Sequence, residues 1–425
     1  MLPMRSACWA VASVEGGGEV GVSEGQKIVV VQDRAFTLDL LRAVSAQLVL
    51  LGHVRALVLK PQLDDVPNLF WQWVLRFSFF NHHAVVVFFV VSGFLVGGAV
   101  IRSIQASKFN FSDYAAKRVA RLYSVLVPGL ILSAIVAAVS FNFGDGAAVI
   151  EKNSPWYPAW WSASESSSLG AFACNMAFMQ TLHCLQFANN LSLWSLSNEF
   201  IYYVAFPCLL IFMRASHRIS ARLFSAGILL FIIAQMFFSR IPDSGSRNWI
   251  YVIGFLAWAC GAYAEKWGHF LSAHSVKAIA SVLLLIAAAF IYRSSVQFRI
   301  EFSVSIIVTV ILMSVSGIDD IAKGGGRQAR KIIAMAADYS FSLYVIHVPL
   351  IFLWLSLDPA RLAGIGRSFS DALTYFSLIV IINASAFIFY LLFERHHRLV
   401  YRLISSFMSA NARNRAKPNS EGGRS

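Results

Sequence analysis

The chain has 425 residues, of which 57% are hydrophobic and only 13% charged, and its formal net charge is +13. A soluble protein carries about 25% charged residues, so this composition excludes a soluble enzyme and points to segments that live in hydrocarbon. Nucleic-acid binding is excluded as well: Lys and Arg sit in short loops between apolar runs instead of clustering on one soluble face.

In chain order, residues 1–35 form an expected disordered extension. Its Gly, Glu and Val between 14 and 27 provide no apolar core long enough for a signal peptide. Apolar runs of about 20 residues, the length needed to cross about 30 Å of hydrocarbon, then predict membrane spans at 36–59, 82–101, 122–141, 191–213, 219–238, 249–265, 274–292, 300–317, 337–356 and 370–393. The fold class is therefore all-α, a polytopic membrane protein with about ten transmembrane helices. One membrane domain fills 36–400, and 401–425 is a basic tail. A shorter apolar stretch, 169–187, holds Asn175, Gln180 and His183 and reads as a re-entrant or interfacial helix.

With sides alternating across ten helices, 24 of the 35 Lys and Arg fall on the N-terminal side and 9 on the other, and Arg42 and Arg55 lie inside the first helix. The bias predicts a multi-pass protein with both termini in the cytoplasm. The loop at 142–190 then faces outward, where Trp156, Tyr157, Trp160 and Trp161 fit an interfacial belt or, more sharply, a sugar-stacking surface. The five cysteines show no metal-ligand spacing, and no metal is expected. Cys174 and Cys184 can pair on an oxidising side; two free thiols are the preferred expectation.

Ionisable groups inside a membrane are costly, so each is a functional hypothesis. In the first helix Arg42 and His53 stand eleven residues apart. At about 100° per residue they share one face, separated by about 16 Å along the axis. Asp39, one turn before Arg42, is placed to neutralise it. An arginine that binds phosphate and a histidine that accepts a hydroxyl proton suit a reaction between an anionic donor and an acceptor presented deeper in. An Asp–Arg pair with a packing histidine is the equal alternative.

The second helix carries Ser92, Gly93, Gly97 and Gly98. These small residues allow close helix approach, and the Ser92–Gly93 pair also admits substrate to the backbone. Lys117, Arg118 and Arg121 at the mouth of the third helix read both as a positive-inside signal and as a seat for phosphates. Glu199, followed by Tyr202, Tyr203 and Pro207, is placed either to orient His53 or an acceptor hydroxyl, or to sit solvated at the interface. His347 stands mid-span before Pro349, as a helix-packing hydrogen bonder or as part of the site.

In order along 36–400, the segments LDLLRAVSAQLVLLGH, FFVVSGF, RVARLYS, WSLSNEFIYYVAFP and DYSFSLYVIHVP resemble the acyltransferase-3 family of bacterial membrane O-acyltransferases, which modify O-antigen, exopolysaccharide and nodulation factors. Two departures stand out: HHAVVV precedes FFVVSGF without the usual Gly–Val–Asp, and Ser124 replaces a frequent proline. The resemblance implies an inner-membrane enzyme that passes an acyl group, acetyl first, from acyl-CoA as co-substrate to a hydroxyl of a carbohydrate or lipid-linked glycan. No bound cofactor and no nucleic acid are implied. His53, Arg42 and Glu199 would be catalytic, Arg118, Arg121 and Lys117 would bind acyl-CoA, and Asp39, Ser92, Gly93, Tyr202 and His347 would support them. A lipid-linked sugar transporter and a non-catalytic scaffold of a polysaccharide synthesis complex are the rival readings.

Overall fold

The structure is a computed structural model that describes residues 24–59, 69–152, 163–214, 218–238, 244–267, scattered positions between 278 and 289, 297–314, 326–358, 360–361, 364 and 368–415. The expected belt residues Trp156, Tyr157, Trp160 and Trp161 lie outside the described residues, as do 1–23, the end of the tail and most of the span expected at 274–292.

Among the described residues the chain is helical, with one isolated bridge between Gln180 and Cys184. The elements used below are α1 (Glu24–Val58), α2 (Leu69–Ser78), α3 (Asn81–Gln105), α4 (Phe111–Phe143), α5 (Leu169–Met176), α6 (Trp194–Met213), α7 (Ile219–Phe237), α8 (Ser244–Trp267), α9 (Gln297–Ser314), α10 (Arg327–Asp338), α11 (Ser340–Ser356), α12 (Phe369–Leu392) and α13 (His397–Arg415). Among the described residues six helices are long and apolar enough to cross a membrane, seven if α10 and α11, bent by 58°, form one span. Two of the ten expected spans, in α8 and α9, are represented by shorter apolar helices, Tyr251–Ala264 and Ser303–Leu312. A hydropathy run counts apolar residues and cannot see where a helix starts or bends. The same difference holds at the ends: α1 begins at Glu24, inside the expected extension, and α13 carries helix through the tail to Arg415.

At the centre stands α11, with nearly every side chain buried and packed against α1 and α4. By contrast α7 packs mainly on α6, with Gln235 also bonding His183, and buries only Ser225, so its Leu and Phe side chains point outward, as they do on a lipid-facing helix. Between α3 and α8 the backbones touch. A Cβ on Gly93 would meet the Trp258 carbonyl oxygen at 1.8 Å, and one on Gly261 would meet that of Val90 at 1.9 Å. At the same place α3 widens into a π turn over Gly93–Gly97, a one-residue bulge typical of functional segments.

Prolines inside spans free the carbonyl four residues back, which in lipid must find another donor. Pro349 frees Val345, whose carbonyl accepts from Asn190 Nδ2 at 2.9 Å. Pro207 frees Tyr203, whose carbonyl accepts from the Tyr114 hydroxyl at 2.9 Å. The first ties α11 to the loop before α6, the second α6 to α4.

The 169–187 stretch is a short helix, α5, followed by a tight loop closed by a Cys174–Cys184 disulfide. The preferred expectation of free thiols is thereby corrected: backbone turns, with positive φ at Phe178 and Thr181, bring the two Cα atoms to 6.4 Å, within bridging range. Asn175 is buried inside the loop, donating to the Ala171 and Leu185 carbonyls and accepting from the Phe187 amide. The polar residues of this stretch thus serve its architecture: Gln180 Nε2 donates to the Leu193 carbonyl, and Thr181 bonds the Tyr251 hydroxyl.

Candidate active site

Five helices leave a cleft between them, with about 850 Å³ of empty space including its open mouth. α1 contributes Arg42, α3 Phe88, Phe89 and Ser92, α4 Arg118 and Arg121, α6 Ser195, Glu199 and Tyr203, and α11 Ser340, Phe341 and Tyr344. The walls are mostly apolar, and three guanidinium groups gather at one end.

The three arginines differ in what already holds them. Arg121 makes a 2.7 Å ion pair with Glu394, a fully buried carboxylate. The other oxygen of Glu394 accepts from the Ser342 amide at 3.0 Å and its hydroxyl at 2.6 Å, so one anion caps the first turn of α11, where the helix dipole favours it, and neutralises Arg121. Arg118 lies over the faces of Tyr114 and Tyr203 at 5.9 and 5.7 Å. Arg42 donates to Ser340 Oγ at 3.3 Å. The expected Asp39–Arg42 ion pair is not formed; Arg42 reaches across to α11 instead, and Asp39 acts on it only as a nearby charge. Lys117 also departs from expectation. It pairs with Asp113 at 2.7 Å, half exposed, beside the Tyr401 ring of α13 and away from the cleft.

Mid-cleft, Glu199 accepts from Ser92 Oγ at 2.7 Å and from the Tyr203 hydroxyl at 2.5 Å, both on Oε1. Trp258 Nε1 donates to Ser92 Oγ at 3.1 Å. Ser92 and Glu199 are thus brought together, but Glu199 does not orient His53. Gly93 is filled by the Trp258 backbone rather than open to a substrate. Tyr202 is buried and donates to the Tyr251 carbonyl at 3.1 Å, holding α8; its neighbour Tyr203 is the one that faces the cleft.

His53 is half-buried and stands beyond the cleft's Tyr344 end. Its Nδ1 lies 3.0 Å from the Val49 carbonyl and 3.2 Å from His347 Nε2. His347 is buried, and its ring centroid is 5.9 Å from that of Tyr344, which bonds Ser195 at 2.7 Å. His82 stacks on Trp194 nearby, and His83 packs edge-on to Phe80. Between the arginine and histidine ends, Gln47 and Asn383 exchange amide hydrogen bonds at 2.7 and 3.2 Å, fixing the rotation of α1 against α12. Glu394 and Tyr203 are the site residues that sequence reasoning missed. For Tyr203 the signal was available in its spacing, four residues after Glu199 on one helix; for Glu394, just past the last span, none was.

The helices and the cleft define a class: a multi-pass helical membrane protein with cations at one end of an apolar cleft and imidazoles beyond the other. The acyltransferase-3 family model, described as an acyltransferase domain, matches residues 36–393, and the chain belongs to that family. It is an acyltransferase, of the kind that transfers groups other than aminoacyl groups. An O-acetyl transferase of Shigella phage Sf6 is 25% identical over 323 residues, covering 73% of this chain and 83% of its own length. An uncharacterized protein of Haemophilus influenzae is 24% identical over 232 residues, covering 50% of this chain and 89% of its own. No solved structure matches significantly.

Proposed function

We propose that the protein is a bacterial plasma-membrane O-acyltransferase that moves an acyl group, acetyl first, from acyl-CoA to a hydroxyl of a cell-surface or lipid-linked carbohydrate. The carrying observation is that Arg42 and Arg118 line one end of an apolar cleft and, among the described residues, neither has a carboxylate ion pair of its own. Phosphates suit guanidinium groups, and a thin acyl-pantetheine arm suits apolar walls. Outside that end, Lys117 packs beside the basic start of α13, as cations on the cytoplasmic side of a membrane protein do. The Sf6 relative is named for acetyl transfer to oxygen.

In this reading His53 Nε2 takes the proton of the acceptor hydroxyl as its oxygen attacks the thioester carbonyl. A C–O bond forms, the C–S bond breaks, and the departing thiolate recovers the proton from His53. The test uses the full chain in lipid nanodiscs with acetyl-CoA and a glycolipid extract from a strain lacking the gene. Free-thiol release should fall about 100-fold or more in His53→Ala, the scale of a lost general base. Glycans of the deletion strain should lack an increment of about 42 Da, the mass of acetylation. Wild-type turnover by His53→Ala removes the histidine from the reaction.

A further inference from the structure

Two helical carbonyls fix the protons of the two imidazoles. His53 Nδ1 faces the Val49 oxygen, and His347 Nδ1 faces the Leu343 oxygen, each at 3.0 Å. A carbonyl only accepts, so each Nδ1 carries a hydrogen. His347 Nε2 stands 3.2 Å from His53 Nδ1. Were Nε2 also protonated, two N–H groups would meet head to head. His347 is therefore neutral, with a lone pair aimed at the N–H of His53. The neutral His53 then has its own lone pair on Nε2.

We propose that His347 is a positioning residue for the reaction: its Nε2 accepts the Nδ1–H of His53, holds that ring in one tautomer and rotamer, and leaves His53 Nε2 as the nitrogen that takes the acceptor's proton. The inference rests on the proposed transfer to a hydroxyl. In hydrolases of the Ser-His-Asp type a buried carboxylate occupies this place and steadies the imidazolium that forms. Here, among the described residues, neither ring bonds a carboxylate; the side chains that face His53 electrostatically are Arg55, His82 and His347. A neutral imidazole meets the requirement at lower cost, since a carboxylate in a buried membrane site is expensive. As His53 gains a proton on Nε2, its Nδ1–H becomes the hydrogen bond of a cation, and His347 is already aligned to receive it. The Val49 carbonyl shares the same hydrogen, but it belongs to α1 itself, whereas His347 ties the ring to α11. Without it, the Val49 carbonyl of α1 is the ring's remaining hydrogen-bond partner among the described residues.

The test is steady-state kinetics of the full chain in nanodiscs, with acetyl-CoA as donor and glycolipid from a gene-deletion strain as acceptor. His347→Leu, which keeps bulk and removes the acceptor atom, should lower kcat about 10- to 100-fold, the worth of a hydrogen bond to a charged group. The KM for acetyl-CoA should stay within about twofold, since the donor cations lie at the other end of the cleft. His347→Gln, whose amide oxygen reaches the same point, should recover most of kcat. In a His53→Gln background, His347→Leu should add nothing.

Wild-type kcat in His347→Leu overturns the inference, as does a loss in His347→Gln equal to that in His347→Leu, or a parallel rise in KM with the fall in kcat. If His347→Leu does not fold, His347→Asn, too short to reach Nδ1, replaces it against His347→Gln. Full turnover in His53→Gln alone sinks the acyl-transfer reading itself. An inactive His53→Gln beside a fully active His347→Leu sinks only the inference.

Discussion

Glu394 holds Arg121 in a 2.7 Å ion pair with one carboxylate oxygen while the other caps the first turn of α11. A single buried anion thereby sets both the position of a cleft arginine and the start of the central helix. Breaking such a pair by removing one partner leaves the other buried and uncompensated, at a cost of about 3–5 kcal/mol. Glu394→Ala should therefore lower stability by about that much, with Glu394→Gln milder because the amide still bonds Ser342. Replacing both partners, Arg121→Met with Glu394→Met, should regain much of the loss. Thermal unfolding in detergent, followed by tryptophan fluorescence, ranks the four proteins.

The Tyr114 hydroxyl serves a carbonyl that Pro207 has left without its helical donor. Tyr114→Phe should cost about 1–3 kcal/mol, the scale of an orphaned buried acceptor. Pro207→Ala restores an N–H four residues on. In that background the same Tyr114→Phe change should cost well under half as much, and a double-mutant cycle on unfolding free energies reads the difference.

Arg118 lines the cleft, whereas Lys117, one residue before it, pairs with Asp113 outside. If acyl-CoA enters here, Arg118→Ala should raise its KM about tenfold or more, the worth of a charge-assisted hydrogen bond to phosphate. Lys117→Ala, an exposed pair, should change it less than about twofold. Acetyl-CoA titrations of thiol release separate the two.

Cys174 and Cys184 close a short loop beside α6. Opening it should cost about 2–4 kcal/mol, seen as a lower melting temperature with reductant in the wild type and none in Cys174→Ser/Cys184→Ser. The pair also tests orientation. In spheroplasts a membrane-impermeant maleimide should label these thiols only after reduction, and from the outer face.

Gly93 and Gly261 let α3 and α8 meet backbone to backbone. A methyl group at 1.8–1.9 Å from a carbonyl oxygen cannot be absorbed by a side-chain rotamer. Gly261→Ala should leave little monodisperse protein on size exclusion, while Gly227→Ala, in open space on α7, should behave as wild type.

Composition alone showed a helical membrane protein, because hydrocarbon tolerates few charges, and fixed helical pitch placed Arg42 and His53 on one face of α1. Ordered motifs carried the family. Local patterning could not decide which charges meet. Asp39 is one turn from Arg42, yet the guanidinium bonds Ser340 on α11, and Lys117 sits beside Arg118 but turns away from the cleft. Nor could it decide that Cys174 and Cys184 pair, which rests on the turns between them. Which charges meet depends on how separate helices rotate and approach one another. That is set by close glycine contacts, by carbonyls freed at prolines and by a buried carboxylate just past α12, all of which act across the bundle and leave little periodic trace along the chain.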